Sequence, residues 1–444
     1  MAHDQAADAI KLVHHAIDRL APGVITRVTV PLPARSGLSC AGNPVLHMQA
    51  KDSPIATSYY GEALVYTGSI GILAAVDACL QQFPEAVIVG GLMFPRTRHI
   101  VSDVWSGYDA VRLFVPKLEW AYHTRTGESI GTAFLWLSEN EEKAALKHAY
   151  SQLLAACYQP RPQSLTRLIF NDATYAQPTQ AQFEAFVRDT IATLSPSFTK
   201  VVLATVAQYT LACDADSRDL FQAICNQATG THRVLWQLDK TRAFMSVSPE
   251  RLFYRDKSDL CVDALAGTRP IGRTQAETDY YAAALLASEK ERHEHAIVCD
   301  YTQRQLDLVC QVNTVRVSPI QVYPQARVQH LYQAVTGTLT PTNQPNYDCI
   351  RHLFPTPAVA GYPLADALAY IQAHEPLDRG LYGGVIARLT HTTSDYIVAI
   401  RALQQVNQTI SVYTGTGIVA GSIPALEWQE HCMKRQSILQ AFSD

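Results

Sequence analysis

The sequence lacks the features of a nucleic-acid-binding, membrane or secreted protein. Its 36 lysine and arginine residues are balanced by 40 acidic residues, for a net charge of −4, and no basic run interrupts this balance. Proteins that bind nucleic acid or anionic membranes carry a basic stripe or cluster, so we expect a small-molecule partner instead. No apolar stretch approaches the roughly 18 residues of a membrane span. Acid also precedes any apolar run at the N-terminus, unlike in a signal peptide.

The ten cysteines are scattered singly from Cys40 to Cys432, without a Cys-x-x-Cys pair or another metal-ligand spacing. This pattern is typical of reduced, mostly buried thiols in a cytosol. We therefore expect a cytoplasmic protein without a catalytic cysteine. The chain also contains no internal repeat, no low-complexity tract and no phosphate-loop or dinucleotide fingerprint.

What the sequence does contain is enough apolar surface for a sizeable core. With 444 residues and 48% hydrophobic composition, it can form one large domain or two ordinary ones. Hairpins and long helices without regular βαβ alternation predict an α+β fold. We interpret residues 1–160 as a β-rich N-terminal part and residues 180–444 as the part with sharper motifs, with a weak boundary at the prolines between them. The two parts are expected to form one continuous structural domain.

Three elements of the second part bear on function. The pattern predicts a long helix from about Glu277 to Leu308 and a strand from Tyr396 to Gln405 that enters a hairpin turn at Val406-Asn-Gln408. A last helix is predicted after Ser422, as a cap residue, and Pro424 in the first turn.

Four glutamates form two pairs on these predicted helices. Glu291 and Glu294 are three residues apart, and so are Glu427 and Glu430, a spacing that places two carboxylates on one helix face. If the two faces meet, so much like charge requires a divalent cation or a shared proton. The sequence therefore predicts a magnesium site. The alternative for either pair alone is a solvated helix face.

Other polar residues accompany these pairs. Lys434 extends the Glu427 face, and a glycine-rich segment, Tyr413-Thr-Gly-Thr-Gly417, precedes that helix, where backbone N–H groups could approach an anion. Ser248-Pro-Glu-Arg251 places an acid after a strand, where a turn carboxylate paired with Arg251 is the alternative. Leu265-Ala-Gly-Thr-Arg269 could be an ordinary hairpin turn, and Lys200, which opens an apolar strand, could be solvated.

Taken together, in this order and spacing, these motifs resemble the chorismate-utilising enzyme family over residue 195 to the end. The resembling segments are Thr199-Lys-Val-Val-Leu203, Ser248-Pro-Glu-Arg-Leu252, Leu265-Ala-Gly-Thr-Arg269, Lys290-Glu-Arg-His-Glu-His295, Leu353-Phe-Pro-Thr-Pro-Ala-Val359, Asp378-Arg-Gly-Leu-Tyr382, Ile400-Arg401, Thr414-Gly-Thr-Gly-Ile-Val419 and Glu427-Trp-Gln-Glu430. The resemblance implies the chorismate-binding enzyme fold, with large antiparallel sheets and peripheral helices, a variable N-terminal half, and a protein that is commonly a monomer.

The resemblance also implies roles for individual residues. Lys200 corresponds to the general base that activates a water for attack on C2 of chorismate, and Glu250 to the general acid that protonates the departing C4 hydroxyl. Their pKa values should move toward each other for this chemistry to proceed near neutral pH. Mg²⁺, held by Glu294 and Glu427 with Glu291 and Glu430 close by, is implied to bind the ring carboxylate. Substrate contacts are implied for Gly267, Thr268, His330, Ala358, Tyr382, Arg401, Gly415, Gly417 and Lys434.

Two residues favour one activity within the family. Members that use ammonia typically carry glutamine at the position of Lys200, so the lysine argues for water as nucleophile. Salicylate synthases share the lysine but characteristically have threonine where this chain has Ala358, so Ala358 favours isochorismate as the product, and salicylate synthesis is the alternative. A catalytically silent chorismate-binding protein is a further alternative, although Lys200, Glu250 and the glutamates all remain. Menaquinone, siderophore and salicylate pathways all use isochorismate, and no residue here distinguishes them.

Three departures from the common family pattern leave every group that is assigned to the chemistry in place. Ala204-Thr205 stands where Ser-Arg is frequent, Phe354 replaces a frequent histidine, and Thr416 replaces a frequent alanine. Phe354 and Thr416 could alter substrate fit or the onward elimination.

Overall fold

A computed structural model describes residues 2–42, 45–95, 103–161, 175–324 and 328–442 of the chain. Within these ranges the helices are α1 (Ala2–Arg19), α2 (Leu73–Gln82), α3 (Lys143–Tyr158), α4 (Gln180–Thr193), α5 (Ser217–Gln227), α6 (Gln275–Ala287), α7 (Glu289–Val309), α8 (Pro345–Leu353), α9 (Leu364–His374) and α10 (Pro424–Leu439). The strands are β1 (Thr26–Val30), β2 (Leu46–Gln49), β3 (Ile55–Thr67), β4 (Ile88–Leu92), β5 (Val111–His123), β6 (Ser129–Leu135), β7 (Tyr175–Gln177), β8 (Lys200–Thr210), β9 (His232–Gln237), β10 (Arg242–Ser248), β11 (Arg251–Asp256), β12 (Asp259–Pro270), β13 (Arg316–Val317), β14 (Gln321–Pro324), β15 (Val328–Thr338), β16 (Gly361–Tyr362), β17 (Val385–Leu389), β18 (Thr393–Val398), β19 (Ala402–Val406) and β20 (Thr409–Ile418).

Most of the strands form two antiparallel arms that share the long strand β5. One arm runs from β5 through β3, β2, β9, β10, β19 and β20 to β8. The other runs from β5 through β4, β17, β18, β11 and β12 to β15. The ladder between β3 and β5 shifts register at Glu62/Leu64, next to Gly61 with a φ of 60°. Such a bulge bends a strand, and it lies where the two arms diverge.

The main core lies between the two arms. Its buried side chains include Trp236 and Phe244 from one arm and Phe253 and Ile386 from the other. The arms approach so closely that a Cβ added at Gly91 of β4 would lie 2.9 Å from the Trp236 ring and 2.6 Å from the Val385 carbonyl oxygen. Only glycine fits there. Close packing of this kind is typical of sheet-on-sheet cores.

The α+β class predicted from the sequence is confirmed, and so is the hairpin, in which Val406 pairs with Thr409 around Asn407 at a φ of 55°. Two other element predictions are wrong. The strand predicted from Tyr396 to Gln405 is two strands, β18 and β19, separated by residues 399–401. The cap of α10 is Ile423, with proline in the first turn as expected, while Ser422 accepts a hydrogen bond from the Val419 N–H.

The long helix predicted from about residue 277 to 308 is also two helices. It breaks at Ser288, whose backbone is extended and whose hydroxyl accepts a hydrogen bond from the Glu291 N–H. Serine satisfies the unpaired N–H groups of a new helix start, which competes with continuation of α6. The break starts a fresh helix just before Glu291 and Glu294, so these glutamates lie in its first two turns.

Strands from residues 1–160 pair directly with strands from residues 180–444. β2 pairs with β9, and β4 pairs with β17. The predicted boundary between the two parts falls mainly on residues 162–174, which lie outside the described residues. No helix within the described ranges is both long enough and apolar enough to cross a membrane.

Candidate active site

The predicted site residues surround one pocket. It lies among the ends of β8 and β20, the bulged part of β12, the start of α7 and the inner face of α10. The lining includes all the predicted residues except Glu427: Lys200, Glu250, Gly267, Thr268, Glu291, Glu294, His330, Ala358, Tyr382, Arg401, Gly415, Gly417, Glu430 and Lys434. The structure therefore brings together residues that are more than 200 positions apart in the sequence.

Lys200 is buried at the start of β8, with only 2% of its surface exposed, so the solvated strand-end alternative is wrong. Its Nζ lies 3.8 Å from Oε2 of Glu294. Burial lowers the pKa of Lys200, and the carboxylates of Glu294 and Glu250 only partly oppose this effect. Burial favours the neutral amine because a charged group is poorly solvated in the interior. A neutral amine is the form that accepts a proton.

Glu250 is equally buried, with 3% of its surface exposed, and lies in the turn between β10 and β11. It does not pair with Arg251, whose guanidinium binds Asp52 and Asp395 instead. Burial, reinforced by the charge of Asp263, raises the pKa of Glu250 to about 8. Glu250 therefore keeps its proton near neutral pH. The pKa values of Lys200 and Glu250 move toward each other, as the sequence analysis expected.

Three glycines leave space around these groups. A Cβ at Gly417 would lie 2.8 Å from Cε of Lys200 and 3.0 Å from Oε2 of Glu294. A Cβ at Gly415 would lie 2.8 Å from the Tyr382 hydroxyl. Gly267 has a φ of 78°, at a bulge in the ladder of β12 and β15, and packs against Glu291. The segment around Gly267 is thus a strand bulge rather than a hairpin turn.

The sequence analysis placed Gly415 and Gly417 in a segment just before the last helix. In the structure both glycines lie inside β20. Their partners on β8 are Ala204 and Val202, whose N–H groups bind Glu375 and the Ala360 carbonyl instead of β20. The glycine backbones are therefore directed away from β8, where Lys434 donates a hydrogen bond of 2.7 Å to the Gly415 carbonyl. Because β19 ends opposite Tyr413, this edge of β20 is open toward the pocket.

Arg401 and Tyr382 also line the pocket. Arg401 follows β18 with a φ of 51°, in the left-handed region that is uncommon for non-glycine residues. This conformation interrupts the predicted strand and turns the guanidinium toward the pocket, where it donates to the Ser437 hydroxyl. Such local strain is typical of functional positions. Tyr382 stacks on Tyr413, with ring centroids 5.6 Å apart.

His330 has a defined tautomer in this pocket. Its Nδ1 lies 3.0 Å from the Gly267 carbonyl oxygen, which can only accept, and 3.1 Å from the Thr268 hydroxyl. Nδ1 therefore carries the hydrogen, and the buried Nε2 is an acceptor without a hydrogen-bond partner among the described residues. Burial lowers the pKa of His330 to about 3, so the ring is neutral. It can accept a hydrogen bond from a hydroxyl of a bound ligand.

The two glutamate pairs do meet, and cations lie between them. Lys290 Nζ is 2.8 Å from Oε1 of Glu427 and 3.7 Å from Oε1 of Glu294, so it joins α7 to α10. The other two carboxylates are also paired, Glu291 with Arg269 at 2.6 Å and Glu430 with Lys434 at 2.6 Å. Glu427 lies behind Lys290, outside the pocket lining.

Burial and these pairings act together on the pKa values of Glu294, Glu427 and Glu430. Burial raises the pKa of Glu294 to about 7 and also raises that of Glu427, against the attraction of Lys290. Burial alone would raise the pKa of Glu430 as well, but its contact with Lys434 outweighs burial and lowers it. A buried carboxylate with a raised pKa is a group that a nearby cation would stabilise in its charged form.

The glutamates fit a magnesium ion in donor chemistry. Carboxylate oxygens are the hard ligands that Mg²⁺ prefers, and Mg²⁺ is usually held by one or two carboxylates together with substrate and water. Over the described parts of the chain, no group of three or more histidine, cysteine, aspartate or glutamate side chains is arranged as a ready-made metal cage. The arrangement therefore suits an ion shared with a substrate, and Lys290 would have to move from between Glu294 and Glu427.

Some pocket residues had no role in the sequence analysis. Arg379 lines the pocket and is fully paired, with Glu375, the Val359 carbonyl and the Val202 carbonyl, so it supports the pocket wall. Its position in the segment that ends at Tyr382 was the available signal. Lys290 was visible as the first residue of its motif, but only the fold shows that it reaches Glu427.

Two of the departures from the family pattern belong to one cluster behind β20. The buried ring of His431 on α10 is hydrogen-bonded through Nδ1 to the hydroxyls of Thr205 and Thr414 and through Nε2 to that of Thr416. Thr205 and Thr416 are thus partners of one histidine. Phe354 packs at the edge of the main core.

A pocket with a buried amine, a protonated carboxyl group and several further cations and carboxylates defines an acid–base enzyme for a small anionic substrate. The chain belongs to the chorismate binding enzyme family, whose sequence profile matches residues 72–443.

Individual relatives agree with this assignment. The chloroplastic isochorismate synthase of Catharanthus roseus is 29% identical over 366 residues, 79% of this chain and 61% of that protein. This chain therefore spans less than two thirds of the plant protein's length. Isochorismate synthase MenF of Haemophilus influenzae is 29% identical over 391 residues, 86% of this chain and 84% of that protein.

A solved structure shares the fold. MenF, the menaquinone-specific isochorismate synthase of Escherichia coli, matches with a TM-score of 0.84 at 23% identity, over 99% of this chain and 100% of that chain. The chorismate-binding enzyme fold, with its antiparallel sheets, is confirmed.

Proposed function

We propose that this protein is an isochorismate synthase that converts chorismate to isochorismate. The observation that carries the proposal is the buried pair Lys200 and Glu250 on two walls of one pocket, with the pKa of the amine lowered and that of the carboxyl group raised to about 8. Two of the relatives described above are named isochorismate synthases. The proposal assigns the chemistry of water rather than ammonia to this pocket.

In the proposed reaction, the neutral amine of Lys200 takes a proton from a water that attacks C2 of the ring. The double bonds shift, and the C4 hydroxyl leaves as water with the proton that Glu250 donates. Substrate and product are isomers, so no other reactant is consumed. Lys200 ends protonated and Glu250 ionised, and a proton returns from one to the other through solvent before the next turnover.

The anionic groups of chorismate require cations in the pocket. Arg401 and Tyr382 are proposed to hold the enolpyruvyl carboxylate, since a guanidinium fork and a phenol suit that group. Lys434, Thr268 and the open backbone of Gly415 and Gly417 complete this binding region, with His330 accepting a hydrogen bond from a substrate hydroxyl.

We further propose that Glu294 and Glu427 hold Mg²⁺, with Glu291 and Glu430 close by. Bound there, the ion would neutralise the ring carboxylate of chorismate. The side chain of Lys290 would have to move to admit the ion, because its ammonium lies between the two glutamates.

The direct test is to incubate the purified protein with chorismate and Mg²⁺, with and without EDTA, and to separate the products by reverse-phase chromatography. Isochorismate that disappears with EDTA and returns with added Mg²⁺ supports the proposal. Salicylate with stoichiometric pyruvate from the first time points would instead indicate salicylate synthase. Unchanged chorismate would indicate a binding protein.

A substitution separates catalysis from binding. Lys200→Ala removes the base and should lower kcat by roughly 10²- to 10⁴-fold, while the dissociation constant of chorismate, measured by calorimetry, stays within a few-fold. Glu294→Gln is the comparison, and it should weaken chorismate binding and the response to Mg²⁺ together. Hydration by Lys200→Ala at the wild-type rate would overturn the assignment of the base.

The cellular setting is part of the proposal. All ten cysteines are unpaired thiols, seven of them buried, which suits the reducing cytoplasm expected from the sequence. A role in menaquinone or siderophore synthesis is compatible with isochorismate as the product, and the protein is proposed to act as a monomer.

A further inference from the structure

Lys51 reaches the general-acid turn from the N-terminal part of the chain. It lies in the connection between β2 and β3, and its Nζ is 2.7 Å from Oδ2 of Asp263 on β12. Only 11% of the Lys51 side chain and 5% of the Asp263 side chain are exposed. An ion pair so far from solvent is costly to form unless its remaining hydrogen bonds are satisfied. The further hydrogen bonds of Lys51 and Asp263 therefore show which part of the structure the ion pair supports.

Those partners are the two peptide groups on either side of Glu250. Lys51 Nζ donates a hydrogen bond of 3.2 Å to the carbonyl of Pro249, and Oδ2 of Asp263 accepts one of 3.4 Å from the N–H of Arg251. The pair thus grips the backbone immediately before and after Glu250. Glu250 itself forms main-chain hydrogen bonds with the Ser248 hydroxyl and the Val398 N–H.

Aromatic rings enclose the same ion pair. Lys51 Nζ lies 5.0 Å from the ring centroid of Tyr323 and 5.9 Å from that of Tyr332. The Tyr332 hydroxyl donates to Oδ1 of Asp263 at 3.2 Å. Each oxygen of Asp263 therefore has a donor, and the ammonium faces two π systems, which stabilise a desolvated cation. The site is built to keep both charges in place.

The charges also act on Glu250. The groups that act on its carboxyl are Asp263 from β12, Lys51 from the β2–β3 connection, Lys200 from β8 and Tyr382, which also lines the pocket. Asp263 favours the protonated form of Glu250, whereas Lys51 and Lys200 favour the ionised form. The ion pair places an anion and a cation near Glu250 together, so their opposite effects on the pKa of Glu250 partly cancel.

We propose that Lys51 and Asp263 are positioning residues for Glu250, which fix the turn that carries the acid and set how firmly it holds its proton. This inference rests on the proposed role of Glu250 as general acid. The two charges have opposite signs, so their removal has opposite consequences. Loss of Lys51 leaves the anion of Asp263 unbalanced, and loss of Asp263 leaves the ammonium unbalanced.

The first experiment compares pH profiles of kcat/KM for Lys51→Met and Asp263→Asn. In Lys51→Met the alkaline limb should move to higher pH by roughly one unit or more, and in Asp263→Asn to lower pH by a similar amount. Both should lose kcat by roughly ten- to a hundred-fold, because the acid turn is no longer held. Lys51→Arg keeps the charge and should keep the limb at its wild-type position.

A purely structural role would give another result. Loss of activity in both variants without displacement of the limb, or with displacement in the same direction, would overturn the inference. Arg112→Met is the matched control, because Arg112 forms a cross-strand ion pair with Glu62 and its described partners do not include Glu250. It should leave the limb unchanged.

A second measurement does not depend on turnover. In protein labelled with ¹³C at the glutamate carboxyl carbons, the signal absent from Glu250→Gln reports the titration of Glu250 at rest. Opposite shifts of its midpoint in the two variants support the inference even if Glu250→Gln remains fully active, a result that would refute the proposed function alone. An unmoved midpoint with an inactive Glu250→Gln would refute the inference alone.

Discussion

At the scale of single residues, burial is the main physical influence on the pocket. It lowers the pKa of Lys200 and raises that of Glu250, each against at least one nearby charge of opposite sign. In water both effects would be lost, because an exposed lysine and an exposed glutamate keep their ordinary pKa values, about 10.4 and about 4.3. The acid–base pair is therefore a property of the closed interior.

The raised pKa of Glu250 predicts a specific dependence of stability on pH. The carboxyl has a pKa of about 8 in the folded protein against an ordinary value of 4.5, so between these values the unfolded chain is ionised while the folded protein retains the proton. Stability from this group is therefore present at acid pH and is lost as pH rises through 8. The slope is at most about 1.4 kcal/mol per pH unit.

This dependence is measured by urea unfolding between pH 5 and 9 of the wild type and Glu250→Gln, which does not titrate. The stability of the wild type relative to the variant should fall across this range and level off above pH 8. A constant difference would show that Glu250 is ionised in the folded protein at neutral pH.

At the scale of elements, the two faces of β20 differ in the size of their side chains. Gly415 and Gly417 alternate with Thr414 and Thr416, so the glycines face the pocket while the threonines face His431 on α10. Successive side chains of a strand point to opposite faces, so this alternation gives the two faces of β20 different contacts. One face makes room for Lys200, and the other anchors the helix that carries Glu427, Glu430 and Lys434.

Gly417→Ala tests the need for space. The new methyl would meet Cε of Lys200 at 2.8 Å and Oε2 of Glu294 at 3.0 Å, which are ends of flexible side chains that can move. We expect kcat/KM to fall roughly 10²-fold from misplacement of the base, with a loss of stability of about 1–3 kcal/mol.

The readouts are steady-state kinetics and thermal unfolding. Gly421→Ala is the matched control, because nothing lies within 4 Å of its added methyl, and it should retain wild-type activity. If Gly417→Ala is equally active, Lys200 does not have to occupy its observed place.

At the scale of the whole molecule, the pocket depends on both parts of the sequence. The catalytic motifs lie after residue 195, yet β9 and β17 from this region complete their sheets with β2 and β4 from the N-terminal part. Lys51 and Asp263 also join the two parts at the acid turn. Such interleaved sheets share one core and are expected to unfold together.

We therefore predict that residues 179–444 do not fold alone. Without the N-terminal part, the edges of β9 and β17 lose their partners and the Trp236 side of the core loses its cover. The full chain should unfold in one transition, with coincident circular dichroism and tryptophan fluorescence curves, and the fragment should show none. A fragment that unfolds cooperatively and binds chorismate would contradict this.

The sequence was a reliable guide where a pattern is local. The hairpin at Asn407 and the paired glutamates are each set by neighbouring residues, and the structure contains them. It was a poor guide at breaks. Ser288 divides one predicted helix and Arg401 interrupts one predicted strand, because a cap or a strained backbone is stabilised by contacts that the local pattern does not contain.

The sequence by itself determined which chemical groups the pocket would hold, because the residue types at Lys200, Glu250 and the four glutamates are written in short motifs. Only the tertiary structure decided the protonation states of these groups and which residues contact them. Burial displaces the pKa values. Long-range contacts place Lys290 between two helices and Lys51 against the backbone next to Glu250. Both arise when distant segments of the chain pack together. No local spacing specifies such packing.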